Sequence, residues 1–169
     1  MLTTSGLILL TWAVSIAYFD ARFRRIPNLL TLGAWLVAVG LLLINHVSLW
    51  GSEASSAVLA AGFGLLMTLP AYLIHRLGAG DVKYIVAIGL LTSWPVTARC
   101  FVIAAVAGGL IAVVWLSVPR LLPLLPATLL DMNSSIGAWA TTPVAKRRMA
   151  YGTLFSFGLM GSLWMDRHV

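Results

Sequence analysis

The chain alternates between long apolar runs and short polar connectors, and this pattern predicts its secondary structure. A helix needs roughly 20 predominantly apolar residues to cross the hydrocarbon core of a bilayer. Six runs approach that length, at residues 7–19 with a start near residue 2, 29–44, 57–74, 82–94, 100–118 and 150–165. The fourth run is about 20 Å long as a helix, so it requires extended ends, little tilt or a locally thinner bilayer. We therefore predict an all-α polytopic membrane protein with about six transmembrane helices, folded as a single domain over residues 1–169.

The composition agrees with this interpretation of the apolar runs. Hydrophobic residues make up 60% of the chain and charged residues 9%, whereas an average soluble protein contains about 25% charged residues. The mean hydropathy is +0.97. Residues 1–5 lack the basic segment of a secretory signal, so we expect the first apolar run to be retained as a membrane span.

The positive charges are concentrated in alternate connectors. The net charge is +6, but no extended basic face is present, which argues against nucleic acid as a partner. Cytoplasmic connectors of membrane proteins carry an excess of lysine and arginine. We therefore predict a multi-pass protein of the inner membrane whose first, third and fifth connectors face the cytoplasm, with Arg99 and Arg167 on the other side. The cytoplasmic connectors would hold the other nine of the eleven basic residues: Arg22, Arg24, Arg25, Arg76, Lys83, Arg120, Lys146, Arg147 and Arg148.

Asp20 and Asp81, two of the five acidic residues, lie at the ends of the first and fourth apolar runs. Asp20 directly follows the first run. The predicted topology puts Asp20 and Asp81 on the cytoplasmic side and Glu53 on the other. Because a carboxylate at or near the bilayer core costs about 3 kcal/mol or more, such a residue is by default a functional candidate. Asp81 belongs to the segment Gly78-Ala79-Gly80-Asp81-Val82-Lys83.

Two aspartates at matching depth on separate helices are the arrangement that an aspartic peptidase requires. One carboxylate, ionised, takes a proton from water, while the other, neutral, donates a proton to the scissile carbonyl oxygen. Like charges in contact cannot both ionise, so the pair titrates as a unit. Gly78 and Gly80 would allow a tight turn with positive φ and the close approach of a substrate strand. We predict that Asp20 and Asp81 are the catalytic residues.

The sequence gives little support to other chemistry. No nucleophile–base arrangement is recognisable near His75, and the three histidines lack metal-ligand spacing, so we expect no metal and no cofactor. The single Cys100 excludes an internal disulfide. Pro27 is predicted to set the start of the second helix and Asn28 to cap it, with a hydrogen bond toward the aspartates as the alternative. Lys83 is expected to be a topology signal, with contact to substrate or the aspartates as the alternative.

At these segments the chain resembles the type IV prepilin peptidases, and most of all the short tight-adherence branch that processes Flp-type prepilins. That family carries an aspartate followed within a few residues by Ile-Pro-Asn, which Asp20 and Ile26-Pro27-Asn28 match. It also carries Gly-x-Gly-Asp-x-Lys, which residues 78–83 match, and often Pro-Tyr-Gly at the start of the last span, where this chain has Ala150-Tyr151-Gly152.

The resemblance implies a six-span membrane peptidase that cleaves the short basic leader of a prepilin, after a glycine, at the cytoplasmic face. It implies Asp20 and Asp81 as the catalytic pair. It also implies a substrate in which an apolar helix follows the basic leader, with membrane lipid as the surrounding medium.

Three other functions would use some of the same residues. A small proton or cation transporter would use intramembrane acids, but it is expected to carry them deeper in its spans and to show an inverted repeat. A non-catalytic subunit of a membrane complex would leave the two aspartates without a role. An archaeal preflagellin-type peptidase would have the same aspartate pair and a different substrate.

Overall fold

The computed structural model describes residues 4–121 and 149–166. Within these ranges the protein is an all-α polytopic membrane protein, with one isolated β-bridge between Val47 and Glu53. The helices are α1 (Thr4–Phe23), α2 (Asn28–Asn45), α3 (Ala54–Leu73), α4 (Ala79–Leu91), α5 (Trp94–Leu121) and α6 (Tyr151–Met165).

Four of these helices, α1, α2, α3 and α5, are long and apolar enough to cross a membrane. The other two are shorter, since α4 has 13 residues and α6 has 15. At 1.5 Å per residue they measure about 20 and 22 Å. The prediction of an all-α polytopic membrane protein is confirmed, and the short fourth apolar run is a short helix.

The helix ends differ from the predicted ones in places that matter for function. Helix α1 continues past residue 19, so Asp20 lies within its last turn, where the Asp20 carbonyl accepts the Arg24 backbone N–H at 2.9 Å. Helix α4 begins at Ala79 rather than at residue 82, because the Asp81 side chain accepts the backbone N–H of Gly78 and caps the first turn. Helix α5 begins at Trp94, so Arg99, which was predicted to lie in a connector, is helical.

The chain divides into two compact units. One unit is Met1–Ala105 with Ala150–Val169, and the other is Val106–Met149. The connector predicted over residues 120–149, including Asp131, lies outside the described residues apart from its two ends. The prediction of a single domain stays a prediction, and the features described below belong to the first unit.

Helix α4 lies at the centre of the first unit. Its residues from Tyr84 to Gly89 are all buried, along with Val82 and Leu91. A helix that is apolar on every side is stable only when it is surrounded, and here α2, α3 and α6 all pack against α4, while α1 packs against α6. Inside this core the Tyr84 hydroxyl donates to Ser156 Oγ at 2.8 Å, because the Ser156 proton is directed to the Gly152 carbonyl oxygen at 2.9 Å.

Helices α4 and α6 run in the same direction between two polar ends of this unit. Both begin at the end where α1 finishes. At the other end, the backbone N–H of Trp50 donates to the Leu91 carbonyl at 3.0 Å, and the Trp50 indole N–H donates to Asp166 Oδ2 at 2.8 Å. Asp166 also pairs with Arg99 of α5. Asp20 and Asp81 therefore lie at one end of the unit, and Glu53 lies in the connector at the other end.

Close packing of α4 against α3 depends on Gly89. A Cβ atom at this position would lie 2.5 Å from the backbone nitrogen of Ala61. Backbone atoms cannot move aside as the end of a flexible side chain can, so α3 and α4 would have to separate. Small residues at helix interfaces are how membrane helices approach one another when van der Waals packing drives their association.

We expect Gly89→Ala to lower the free energy of unfolding by about 1–3 kcal/mol, the usual cost of overpacking. Gly62→Ala on α3 is the matched control, because a Cβ there would meet nothing within 4 Å. Both changes alter helix propensity equally, so reversible unfolding in detergent micelles isolates the packing effect. Equal stability of the two variants would contradict the described α3–α4 contact.

Candidate active site

Asp20 is a buried carboxylate that joins α1 to α6. Its side chain is 6% exposed. Asp20 Oδ2 accepts the backbone N–H of Thr153 at 2.8 Å and the Thr153 hydroxyl at 3.1 Å. Hydrogen bonds to an ionised group are about twice as strong as those between neutral groups. Thr153 therefore compensates for removing this carboxylate from water.

Asp81 is the third residue of α4, where the helix dipole favours a negative charge. Its Oδ2 atom accepts the backbone N–H of Gly78 at 3.2 Å. The backbone N–H of Gly152 lies near the same carboxylate, and Asp81 interacts electrostatically with Asp20. The structure thus brings together the two aspartates that the sequence analysis singled out.

The first turn of α6 contacts both carboxylates through consecutive residues. The backbone N–H of Thr153 donates to Asp20, and the backbone N–H of Gly152 lies near Asp81. The first N–H groups of a helix have no partner within that helix. They also form the positive end of the helix dipole, which attracts anions. One helix terminus therefore brings backbone N–H groups close to two acidic side chains that come from two other helices.

Ile26 fixes the connector between α1 and α2 against this site. A Cβ at Gly152 would lie 2.7 Å from Ile26 Cδ1 and 3.1 Å from the Cγ of Asp20, so position 152 has no room for a side chain. A Cβ at Gly80 would lie 3.4 Å from Ile26 Cβ, which is ordinary contact. Ile26 is thus seated between the first turns of α4 and α6, and Pro27 follows it directly as the N-cap of α2.

The two carboxylates line a cleft of about 390 Å³. The cleft is open at the end of the unit where α1 finishes and α2 and α4 begin. Arg24 and Arg25 are exposed in its lining, whereas Asp20 is buried and Asp81 is half-buried. The lining residues are Asp20, Arg24, Arg25, Ile26, Asn28, Gly78, Ala79, Gly80, Asp81 and Lys83.

Three expectations about the supporting residues need correction. Gly78 has φ of −77° and Gly80 is helical, so neither adopts the predicted positive φ. The turn after α3 instead passes through His75, whose φ is 56°. Asn28 does not cap α2, because Pro27 occupies the cap position and Asn28 is already helical.

Lys83 and Asn28 contact each other across the cleft. Lys83 Nζ donates to Asn28 Oδ1 at 3.4 Å, a long hydrogen bond that links α4 to the start of α2. The Lys83 backbone carbonyl accepts the Trp35 indole N–H at 3.0 Å, and this hydrogen bond also links α2 to α4. The predicted role of Pro27 is confirmed, since α2 begins at the next residue.

Sequence reasoning missed Gly152 and Thr153. A signal was present, because the Tyr151-Gly152 pair at the start of the last apolar run was recognised as a partial motif. It gave no indication of which residues the first turn of α6 would contact. Among the described residues no group of three or more histidine, cysteine, aspartate or glutamate side chains could hold a metal ion.

Comparison with known proteins adds one finding. The sequence model of the type IV leader peptidase family matches residues 7–113, which include both Asp20 and Asp81. The match covers α1 to α4 and most of α5, and it ends before α6. No curated protein and no solved structure matches the chain.

A double-mutant cycle tests the contact between Asp20 and Thr153. We expect Asp20→Ala and Thr153→Val to be coupled by about 0.5–2 kcal/mol in the free energy of unfolding, because each removes one partner of the same hydrogen bond. Thr97→Val is the control, since Thr97 bonds to Thr92 at the opposite end of α4. Its coupling to Asp20→Ala should stay below about 0.5 kcal/mol. Equal coupling in the two cycles would contradict the described geometry.

Proposed function

We propose that this chain, which belongs to the type IV leader peptidase family, is a membrane-embedded aspartic endopeptidase. Its substrate would be a Flp-type prepilin, and the bond cleaved would be the one that follows the short basic leader. The catalytic pair would be Asp20 and Asp81. The protein would lie in the inner membrane with the cleft open to the cytoplasm.

One observation carries this proposal. Two aspartates from separate helices line a single cleft, and consecutive backbone N–H groups of α6 contact them. A structural role for Asp81 alone, as an N-terminal cap of α4, would need no second carboxylate. A structural role for Asp20 alone would not account for the open cleft beside it.

The geometry supports a general acid–base mechanism. The two carboxylates share one proton, because the repulsion between two adjacent negative charges prevents both groups from being ionised at once. A water molecule between them would lose a proton to the ionised carboxylate as it attacks the scissile carbonyl carbon. The neutral carboxyl group would donate its proton to the carbonyl oxygen, which yields a tetrahedral diol. Transfer of a proton to the leaving amine would then break the C–N bond and regenerate the pair.

The first turn of α6 would act by positioning in this mechanism. The N–H group of Thr153 restricts how the Asp20 carboxylate can rotate, and the Thr153 hydroxyl adds a second contact to Asp20. Reacting groups must be held close to the productive geometry, since a small misplacement has a large effect on rate. The free space faces the cleft, where the scissile bond would enter.

The distribution of charge is consistent with a cytoplasmic cleft. Arg24 and Arg25 are exposed at the rim, and Lys83 is half-buried beside them. The excess of basic residues in alternate connectors favours this end of the protein as the cytoplasmic one. We place the exposed arginines among anionic lipid headgroups, so that the leader approaches the cleft from the aqueous side.

Loss of either carboxylate should abolish cleavage. We expect Asp20→Asn and Asp81→Asn each to lower the cleavage rate of a co-expressed Flp-type prepilin by at least about 100- to 10,000-fold, the usual contribution of general acid–base catalysis. Glu53→Gln makes the same chemical change in the connector at the opposite end, so it should cleave at the wild-type rate. Wild-type activity in either aspartate variant would defeat the proposal.

Thr153 should affect catalysis through its hydroxyl. We expect Thr153→Val to lower kcat by roughly 10- to 100-fold, because Asp20 loses a contact that orients it. The pH profile of cleavage should shift at the same time, since the hydroxyl contacts one member of the titrating pair. Thr153→Ser keeps the hydroxyl and should restore both kcat and the profile. A Thr153→Val enzyme with unchanged kcat and pH profile would show that the hydroxyl has no positioning role.

A further inference from the structure

Helices α1 and α2 leave a groove between them. They are consecutive in the chain, yet α1 packs mainly on α6 and α2 mainly on α4. The space between them, which we call the α1–α2 groove, has a volume of about 260 Å³. Its lining residues are Ile8, Leu9, Trp12, Leu29, Leu30, Gly33, Ala34, Val37, Leu49 and Leu91.

The groove presents an apolar surface. Its one indole N–H is already satisfied, because Trp12 donates to the Leu30 carbonyl oxygen at 3.0 Å. On the α2 side the groove is lined by the small residues Gly33 and Ala34, which leave space for a ligand. A Cβ at Gly33 would meet no atom within 4 Å. A surface without unpaired polar groups is what a lipid-exposed binding site requires.

The groove begins beside the cleft at the start of α2. Asn28 lines the cleft and Leu29, the next residue, lines the groove. Helix α4 contributes to both, with Asp81 in the cleft at its start and Leu91 in the groove at its end. The groove therefore extends from the end of the unit that holds the two aspartates, at Leu29, toward the opposite polar end, at Leu91, and Asp81 and Leu91 are about 15 Å apart along α4.

From this position beside the cleft we propose that the α1–α2 groove binds the apolar helix of the substrate, the segment that follows the cleaved bond. The inference rests on the proposed function, which supplies a substrate with a cleavage site at the membrane boundary and an apolar helix behind it. A helix lying along the groove would enter from the lipid and present its cytoplasmic end at Asp20 and Asp81.

The size of the groove fits side chains rather than a whole helix. An apolar cavity of about 150 Å³ holds one benzene molecule, so 260 Å³ accommodates one or two large apolar side chains. The substrate helix would therefore lie on the surface and insert side chains between α1 and α2. Affinity would come from van der Waals packing, as for other helix pairs in lipid.

Filling the groove tests the proposal without touching the cleft. We expect Gly33→Leu to raise KM for a membrane-embedded prepilin by roughly 10-fold or more, with kcat unchanged, the scale on which pocket contacts discriminate. Gly40→Leu is the matched control on the same helix, because Gly40 also has no atom within 4 Å of its Cβ position and does not line the groove. Equal KM values for the two variants would overturn the proposal while leaving the peptidase activity intact.

A second measurement does not depend on turnover. A photoreactive residue in place of Val37, which lines the groove, should crosslink to the apolar helix of a prepilin in the Asp81→Asn protein, which holds the substrate uncleaved. The same residue in place of Val39 is the control, because both valines are exposed but Val39 lies outside the groove. Crosslinks from position 37 to lipid alone would identify an acyl chain as the occupant and overturn the proposal. If the wild-type protein cleaved no prepilin at all, the proposed function would fail instead.

Discussion

The first turn of α6 brings the N–H groups of consecutive residues to two carboxylates, one from α1 and one from α4, and the bond from Thr153 to Asp20 is the closer one. The helix terminus and the carboxylates stabilise each other. A helix terminus has backbone donors without partners, and an aspartate near a bilayer requires donors to be tolerated. Because Gly152 has no side chain, Ile26 and Asp20 can approach it closely. The convergence of three helices and one connector at a single point follows from this contact.

The two short helices determine where this point lies. Helices α4 and α6 begin at the aspartates and end at a second polar cluster, formed by Trp50, Arg99 and Asp166. The distance between these ends is about 20 Å, less than the roughly 30 Å of a typical hydrocarbon core. A bilayer that thins around them would bring water close to the carboxylates at one face. The proposed cleft and groove would then share one boundary, where a leader in water meets an apolar helix in lipid.

Much of the fold could be predicted from sequence, because hydrophobic run length carries the signal for membrane helices. The two aspartates could be singled out because a carboxylate near the bilayer core is costly and because both fall on the same predicted side of the membrane. The contacts of Gly152 and Thr153 could not be predicted, since they depend on how α6 packs against α1. The glycines at 78 and 80 were assigned a conformational role from local rules, whereas Gly80 instead contacts Ile26 and Gly78 donates its N–H to Asp81. Asn28 was misassigned for the same reason, because its partner Lys83 is distant in sequence.

The account depends on the proximity of side chains 20 and 81 in the membrane. Paired cysteines at these positions, in a Cys100→Ser background that keeps the donor to the Phe155 carbonyl, can be treated in native membranes with a short bifunctional thiol reagent. The account predicts efficient intramolecular crosslinking of the 20/81 pair and none of a 20/53 pair, because residue 53 lies at the opposite end of the bundle. Crosslinking of 20/53, with 20/81 unreactive, would contradict it.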